Sequence, residues 1–441
     1  MNDKLLIIGA GVDRTKGIDF PLANTLMAEI ATFAKTDGKE LDEMLRSILP
    51  NLRFTFATLI SRSIERITTR EVHEQRALIE RLNNVLNTLS DSDSDEKMRK
   101  HGMLLVKLFD KLATVAEKAA LDDEITDLIK DVFGEQAEEY LEDDSIIDIS
   151  KMSLSETFKQ VLKQTLRLSL NKEHHKIASV LGADMLNIEN LLVEKFLGFY
   201  NNKPAEIKNY IYISWMMWAY LVYLEKEVYV KYSGSSIPFY CNVPKEYKAI
   251  TLNYTSFIEK VLGQHNVIYF HGGLNEYVRM DRRELNDIDD FDNIDIKTFF
   301  NTEIRSNTKI SDIPSERQKH IIPALVPPLK IKPILSSRYI EIWHQATEWI
   351  KEASKIIIIG YSFNSADDHF NDILRQNQNG KTIYIVAPDI HNDYYLQSFS
   401  QIFGVSPKEW TETHKFGFPA KKYNDVYLLA AYADQIDFSK I

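Results

Sequence analysis

The chain has 441 residues, of which 44% are hydrophobic and 27% charged, with a net charge of −11 and a single cysteine, Cys241. That length exceeds one ordinary core and predicts two or three structural units in a globular, water-soluble profile. The acidic balance does not call for a basic face, so no direct nucleic-acid partner is expected, though bulk charge leaves a local basic groove open. One thiol forms no internal disulfide and no four-cysteine zinc site, which suits a reducing cytoplasm.

The start, MNDKLLIIGAG, runs straight into an apolar stretch and lacks a signal-peptide pattern, so a cytoplasmic location is expected. Lys4 to Ile8 reads as a buried parallel strand ending in Gly9-Ala10-Gly11, and Pro21 to Phe33 as a helix with Leu22, Leu26 and Ile30 at helical spacing. From about residue 36 to 230 glycine is sparse and helical periodicity persists, as in Leu78-Ile79-Leu82-Val85-Leu86-Leu89 and Leu104-Leu105-Leu108-Leu112-Val115. Ser90 to Glu96 (SDSDSDE) reads as a solvated loop between two such stretches. The most apolar run, Tyr210 to Leu224, is shorter than the roughly 20 residues of a membrane span, so no membrane is expected. Its Trp, Tyr and Met residues cover most of a helix circumference, which fits either a central helix or an interface.

Strand signals return at Ala249–Asn253, Val267–His271, Lys355–Ile359 and Thr382–Ala387, with helical patterns at Phe257–Leu262 and Ala366–Leu374. Alternating strands and helices imply βαβ units and a parallel sheet, which the strand at Lys4–Ile8 joins. The expected fold is therefore α/β, a Rossmann-like parallel sheet, with a discontinuous domain at 1–33 plus 235–441 and a large helical insertion at 34–234. Glu284 to Asp295 carries six acids and no base and reads as an exposed loop without calcium-loop spacing.

Gly9-Ala10-Gly11 between a strand and a helix fits either a nucleotide phosphate or a plain structural turn; position 14 is Arg, so the G-x-G-x-x-G dinucleotide pattern of a dehydrogenase is absent. Arg375 to Thr382 misses a P-loop, because Gly380-Lys381-Thr382 leads into a strand rather than out of one. His271 ends a strand over Gly272-Gly273, where α/β sheets bind ligands, and its near-neutral pKa suits proton transfer; a lone histidine there can equally be a loop hydrogen-bonder. Asn253 ends the preceding strand, 18 positions earlier, and fits a turn former or a group that holds a water or a ribose hydroxyl. The adjacent His174 and His175 read as surface residues, and no metal-ligating cluster is evident.

In order, these pieces resemble the sirtuin family: Gly9-Ala10-Gly11 its G-A-G, Thr251-Leu252-Asn253 its T-x-N, Phe270-His271-Gly272 its H-G, and Gly360-Tyr361-Ser362 its G-x-S turn. The resemblance covers residues 1–33 and roughly 245–400. It implies NAD as the ligand, Asn253 and His271 as catalytic residues at the nicotinamide ribose, and Gly9, Ala10, Gly11, Asp13, Thr251, Gly360, Tyr361 and Ser362 around the rest of the dinucleotide. Three departures matter: the zinc ribbon of the protein-deacylating members is missing, the family's Asp after the Asn is Thr255, and its Ser after G-A-G is Asp13. Ile322 to Pro328 (IPALVPP) resembles a segment of bacterial sirtuin-like effectors of anti-phage defence, some coupled to a HerA-type ATPase. The resemblance thus implies a metal-independent NAD hydrolase, a homo-oligomer with a possible HerA-type ATPase partner. A ribbonless deacylase and a non-catalytic nucleotide-sensing module are the alternatives.

Overall fold

The structure, a computed structural model, describes residues 4–21, 23–56, 63–65, 67, 72–89, 93–114, 123–133, 154–170, 176–186, 188, 191–192, 194–196, 203–232, 236–313, 316–326, 334–363, 367–388, 390–391 and 393–441. In chain order they form β1 (Lys4–Ile8), a one-turn helix α1 (Ala10–Asp13), and helices α2 (Ala23–Phe33), α3 (Lys39–Ile48), α4 (Val72–Leu86), α5 (Asp93–Thr114), α6 (Asp123–Phe133), α7 (Leu154–Leu170), α8 (Lys176–Met185) and α9 (Pro204–Tyr232). Next come β2 (Lys248–Thr251), α10 (Phe257–Leu262), β3 (Val267–Tyr269), β4 (Glu276–Arg279), β5 (Glu284–Asp287) and β6 (Ile321–Pro323). The rest is α11 (Arg338–Glu352), β7 (Lys355–Ile359), α12 (Asp368–Gln376), β8 (Thr382–Val386), α13 (Asp393–Phe403), β9 (Thr411–Lys415), β10 (Phe418–Tyr423) and β11 (Val426–Leu429).

Two compact units emerge: one of residues 1–22, 37–52 and 192–441, the other of 23–36 and 53–191. The division differs from the sequence expectation at three helices, because α2 groups with the second unit, and α3 and α9 with the first. The second unit interrupts the first in sequence, and its described secondary structure is helical. Its core draws on Leu78 and Leu82 of α4, Leu104, Leu105 and Leu108 of α5, and Phe158, Val161 and Leu162 of α7, all buried. Asp93 to Glu96, read as loop, are instead the first turn of α5. His174 and His175 lie outside the described residues.

The first unit is α/β and Rossmann-like. Its eight-stranded sheet runs β3-β2-β1-β7-β8-β11-β10-β9; the first six strands in that order are parallel, while β10 is antiparallel to β11 and β9. The runs KLLII, KIIII and TIYIV are apolar throughout because both faces of these strands are covered, four of five residues being buried in each. From β1 the chain builds outward to β2 and β3 on one side, then to β7 and β8 on the other. The strand order therefore reverses between β1 and β7, and the crevice beyond their C-terminal ends is where such sheets bind ligands.

A second sheet, β5-β4-β6, is antiparallel. It corrects the reading of Glu284 to Asp295 as loop: Glu284–Asp287 pair with β4 through the backbone ladder, an interaction indifferent to their polar side chains. Helix α9 runs 29 residues, and Ile207 through Val222 are buried within this chain. Trp215 donates to the Ile321 carbonyl at 3.0 Å and Trp218 to that of Leu274 at 2.7 Å. The aromatic helix is thus a core element of the first unit. No helix among the described residues is long and apolar enough to cross a membrane.

Candidate active site at the strand ends

Parallel register puts the ends of β2, β1 and β7 side by side: Ile8 pairs with Thr251 on one side and with Ile359 on the other. The next residues on β1 and β7 are Gly9 and Gly360, which pack against one another. A Cβ added at Gly9 would lie 2.7 Å from the Gly360 oxygen, and one at Gly11 2.8 Å from the Gly360 Cα. Gly360 itself has φ +67°, with Val12 N 2.4 Å from where a Cβ would sit. The glycine amides are used within the turn: Gly9 donates to Ile359, Gly11 to Gly360 and Val12 back to Gly9, at 2.8–3.0 Å. These glycines let two turns stack at the switch point. Ala10 and Gly11 are exposed at its rim.

Asn253 is tied into the same structure. Its side-chain amide donates to the Gly9 carbonyl at 3.1 Å, and its backbone amide donates to Thr251 Oγ1 at 3.0 Å. Thr251 is fully buried and shapes the turn that presents Asn253. One strand further out, Phe270 N donates to the Thr251 carbonyl at 3.0 Å, and His271 follows. Asn253 and His271 are each only 6% exposed, so two polar side chains are withdrawn from water on adjacent strand ends. His271 Nε2 lies 3.3 Å from Asp367 Oδ1. The His271 carbonyl accepts from Val326 N at 2.9 Å, so the chain after β6, part of the IPALVPP segment, braces the histidine turn; Pro327 and Pro328 lie outside the described residues.

Asp13, at the end of α1, is buried and accepts from Thr255 Oγ1 at 2.8 Å on one oxygen and from the Tyr240 hydroxyl on the other. Asp13 and Thr255, the two positions at which the sequence departs from the motifs it resembles, thus meet in a hydrogen bond. Next to Thr255, Ser256 donates its amide (3.0 Å) and hydroxyl (2.6 Å) to the buried Glu225 of α9. Burial pushes the Asp13 carboxyl up to about 6 against the pull of hydrogen bonds from Tyr240, Thr255 and Asn253. Burial also pushes Glu225 up to about 7, against its bonds to Ser256, with the Asp13 charge adding to the rise.

A folded-state pKa above the unfolded one means that the native chain holds a proton the unfolded chain has lost. Asp13 therefore costs stability as the pH rises from its usual 3.8 to about 6, at up to about 1.4 kcal/mol per pH unit. Asp13→Asn, which can still accept from Tyr240, is expected to flatten that fall in the denaturation midpoint between pH 4 and 6. An unchanged slope in the variant would assign the pH dependence to other groups.

Tyr361 is buried with its hydroxyl donating to Asn371 at 2.7 Å, while Ser362 is exposed on the turn. Of the residues singled out in the sequence, the geometry ties Gly9, Gly11, Asp13, Thr251, Asn253 and Gly360 together, with His271 on the neighbouring strand. Sequence reasoning missed Tyr240, Glu225 and Asp367; an aspartate starting a helix reads as an ordinary cap. Among the described residues no group of three or more His, Cys, Asp or Glu side chains could hold a metal ion.

No family model and no curated protein matches the chain. Among solved structures, a Sir2 mutant with a p53 peptide and NAD is similar over 36% of this chain and 65% of that one, at 17% identity and a TM-score of 0.22. This chain thus spans 65% of that structure's length. At such a score the likeness decides nothing about chemistry.

Proposed function

We propose that this protein hydrolyses NAD to nicotinamide and ADP-ribose. The observation that carries the reading is the pair Asn253 and His271, two buried polar side chains on adjacent strand ends beside the point where the strand order reverses. The sirtuin resemblance supplies the substrate. The donor set fits it, with a base, an amide and an exposed hydroxyl at Ser362 around a turn too small in side chains to obstruct a pyrophosphate.

Nicotinamide is a good leaving group, so the protein need only orient the ribose, exclude stray nucleophiles and admit one water. His271 takes a proton from a ribose hydroxyl, and Asn253, fixed by its bond to Gly9, holds the water or the ribose. Ala10, Gly11 and Gly360-Tyr361-Ser362 line the phosphate and ribose side, with Gly9 holding the turn. Asp13 acts behind the turn through Tyr240 and Thr255.

Purified protein incubated with NAD is expected to release nicotinamide and ADP-ribose in equal amounts without any acyl-peptide. The assay belongs beside one with a HerA-type ATPase added, because the same resemblance proposes a regulated anti-phage effector that stays quiet in isolation. Release that strictly requires an acyl-peptide would make the protein a deacylase. Bound but unchanged NAD in both arms would make it a sensor.

A further inference from the structure

Asp367 occupies the N-cap of α12, where an aspartate ordinarily accepts a hydrogen bond from an early helical amide. It makes no such bond. Its carboxylate instead lies 3.3 Å from His271 Nε2, and the two side chains are 16% and 8% exposed. Attraction between such groups is weakly screened by water, and a carboxylate beside an imidazole nitrogen fixes the ring and favours its charged form.

Both partners are held from behind. Phe370 of α12 is fully buried and meets Phe270, the neighbour of His271, edge-on at 4.9 Å. Asn371, one residue on, accepts from Tyr361 and ties α12 to the turn after β7. Trp343 of α11 donates to the Phe270 carbonyl at 2.9 Å. The other ionisable groups at this helix end are Asp368, which is exposed, His369, whose ring packs on Trp343 at 4.8 Å, and Tyr361, whose hydroxyl is bound to Asn371. Asp367 is the carboxylate this scaffold holds at ion-pair distance from His271.

We propose that Asp367 is a positioning residue for His271: it orients the imidazole and stabilises the protonated ring during turnover. This rests on the role of His271 as the base. When His271 takes a proton, the hydroxyl O–H bond breaks, an N–H bond forms on the ring, and the positive charge so created faces the Asp367 carboxylate. The carboxylate itself takes no part in the proton transfer and touches no reacting atom.

The test compares wild type, Asp367→Asn, Asp367→Glu and Asp368→Asn by NMR titration of histidine-labelled protein, with the His271 signal assigned from His271→Gln. The His271 midpoint is expected to fall by about one pH unit or more in Asp367→Asn. It should recover at least in part in Asp367→Glu and stay put in Asp368→Asn. With NAD as substrate, Asp367→Asn should lower kcat about 10- to 100-fold with KM changed less than about threefold, and the acid limb of the pH–rate profile should move down with the midpoint. A His271 midpoint that ignores Asp367→Asn would overturn the proposal, whatever happens to activity. If wild type turns over no NAD either alone or with the HerA-type ATPase added, the hydrolase reading fails, while the titration still decides the pair.

Discussion

Replacing His271 by alanine is expected to lower NAD turnover by at least about 1,000-fold while leaving the fold intact, and Asn253→Ala should do the same. His271 holds the proton in the proposed reaction, and among the described residues no other imidazole directly follows the ends of β1, β2, β3 or β7. Asn253 orients the reacting groups through a side chain whose amide donates to the Gly9 carbonyl at 3.1 Å, a bond worth about 1 kcal/mol to the fold. Both residues lie past the last ladder pair, Thr251 with Tyr269, so neither truncation opens a hole in the sheet. Steady-state kinetics with NAD checks the first part, and thermal denaturation the second, with midpoints expected within a few degrees of wild type. Near-normal turnover in either variant would remove that residue from the catalytic role.

The second large effect concerns Gly272. Its φ is +84°, and a Cβ there would lie 1.6 Å from the Ala324 carbonyl oxygen and 2.7 Å from the Tyr339 hydroxyl. A backbone oxygen cannot swing aside as a side chain does. Gly272→Ala must therefore push the His271 turn away from the chain after β6, breaking the bond from Val326 N to the His271 carbonyl. A loss of about 3–5 kcal/mol is expected, in the range of the most damaging point substitutions. Gly404→Ala is the control: its φ is +65° with nothing within 4 Å, so only the backbone cost of about 1–2 kcal/mol applies. Thermal midpoints of the two variants should separate clearly, and equal midpoints would mean that the turn has slack at Ala324.

Both effects concern parts of the sheet that the sequence announces. KLLII, KIIII and TIYIV are legible because parallel strands covered on both faces are apolar along their length. Strands held mainly by their ladder are not: TETHK of β9 has no buried residue, and ELND of β5 looks like any acidic loop. For α9, composition is equally satisfied by a core and by an interface; the bonds from Trp215 and Trp218 to Ile321 and Leu274, distant in sequence, decide it. Within the site, Asn253 and His271 stand out because a strand end is a local feature. Asp367 does not, since 96 positions separate it from His271 and only the packing of α12 brings them together.

The hydrogen bond between Thr255 and Asp13 also bears on how such a chain can change by descent. Thr255→Asp alone would set a second carboxyl against a buried one. Asp13→Ser alone would leave two hydroxyls facing each other and take from Tyr240 the acceptor it now has. Either single step is a worse neighbour than both steps together, so the two positions are free to vary only as a pair.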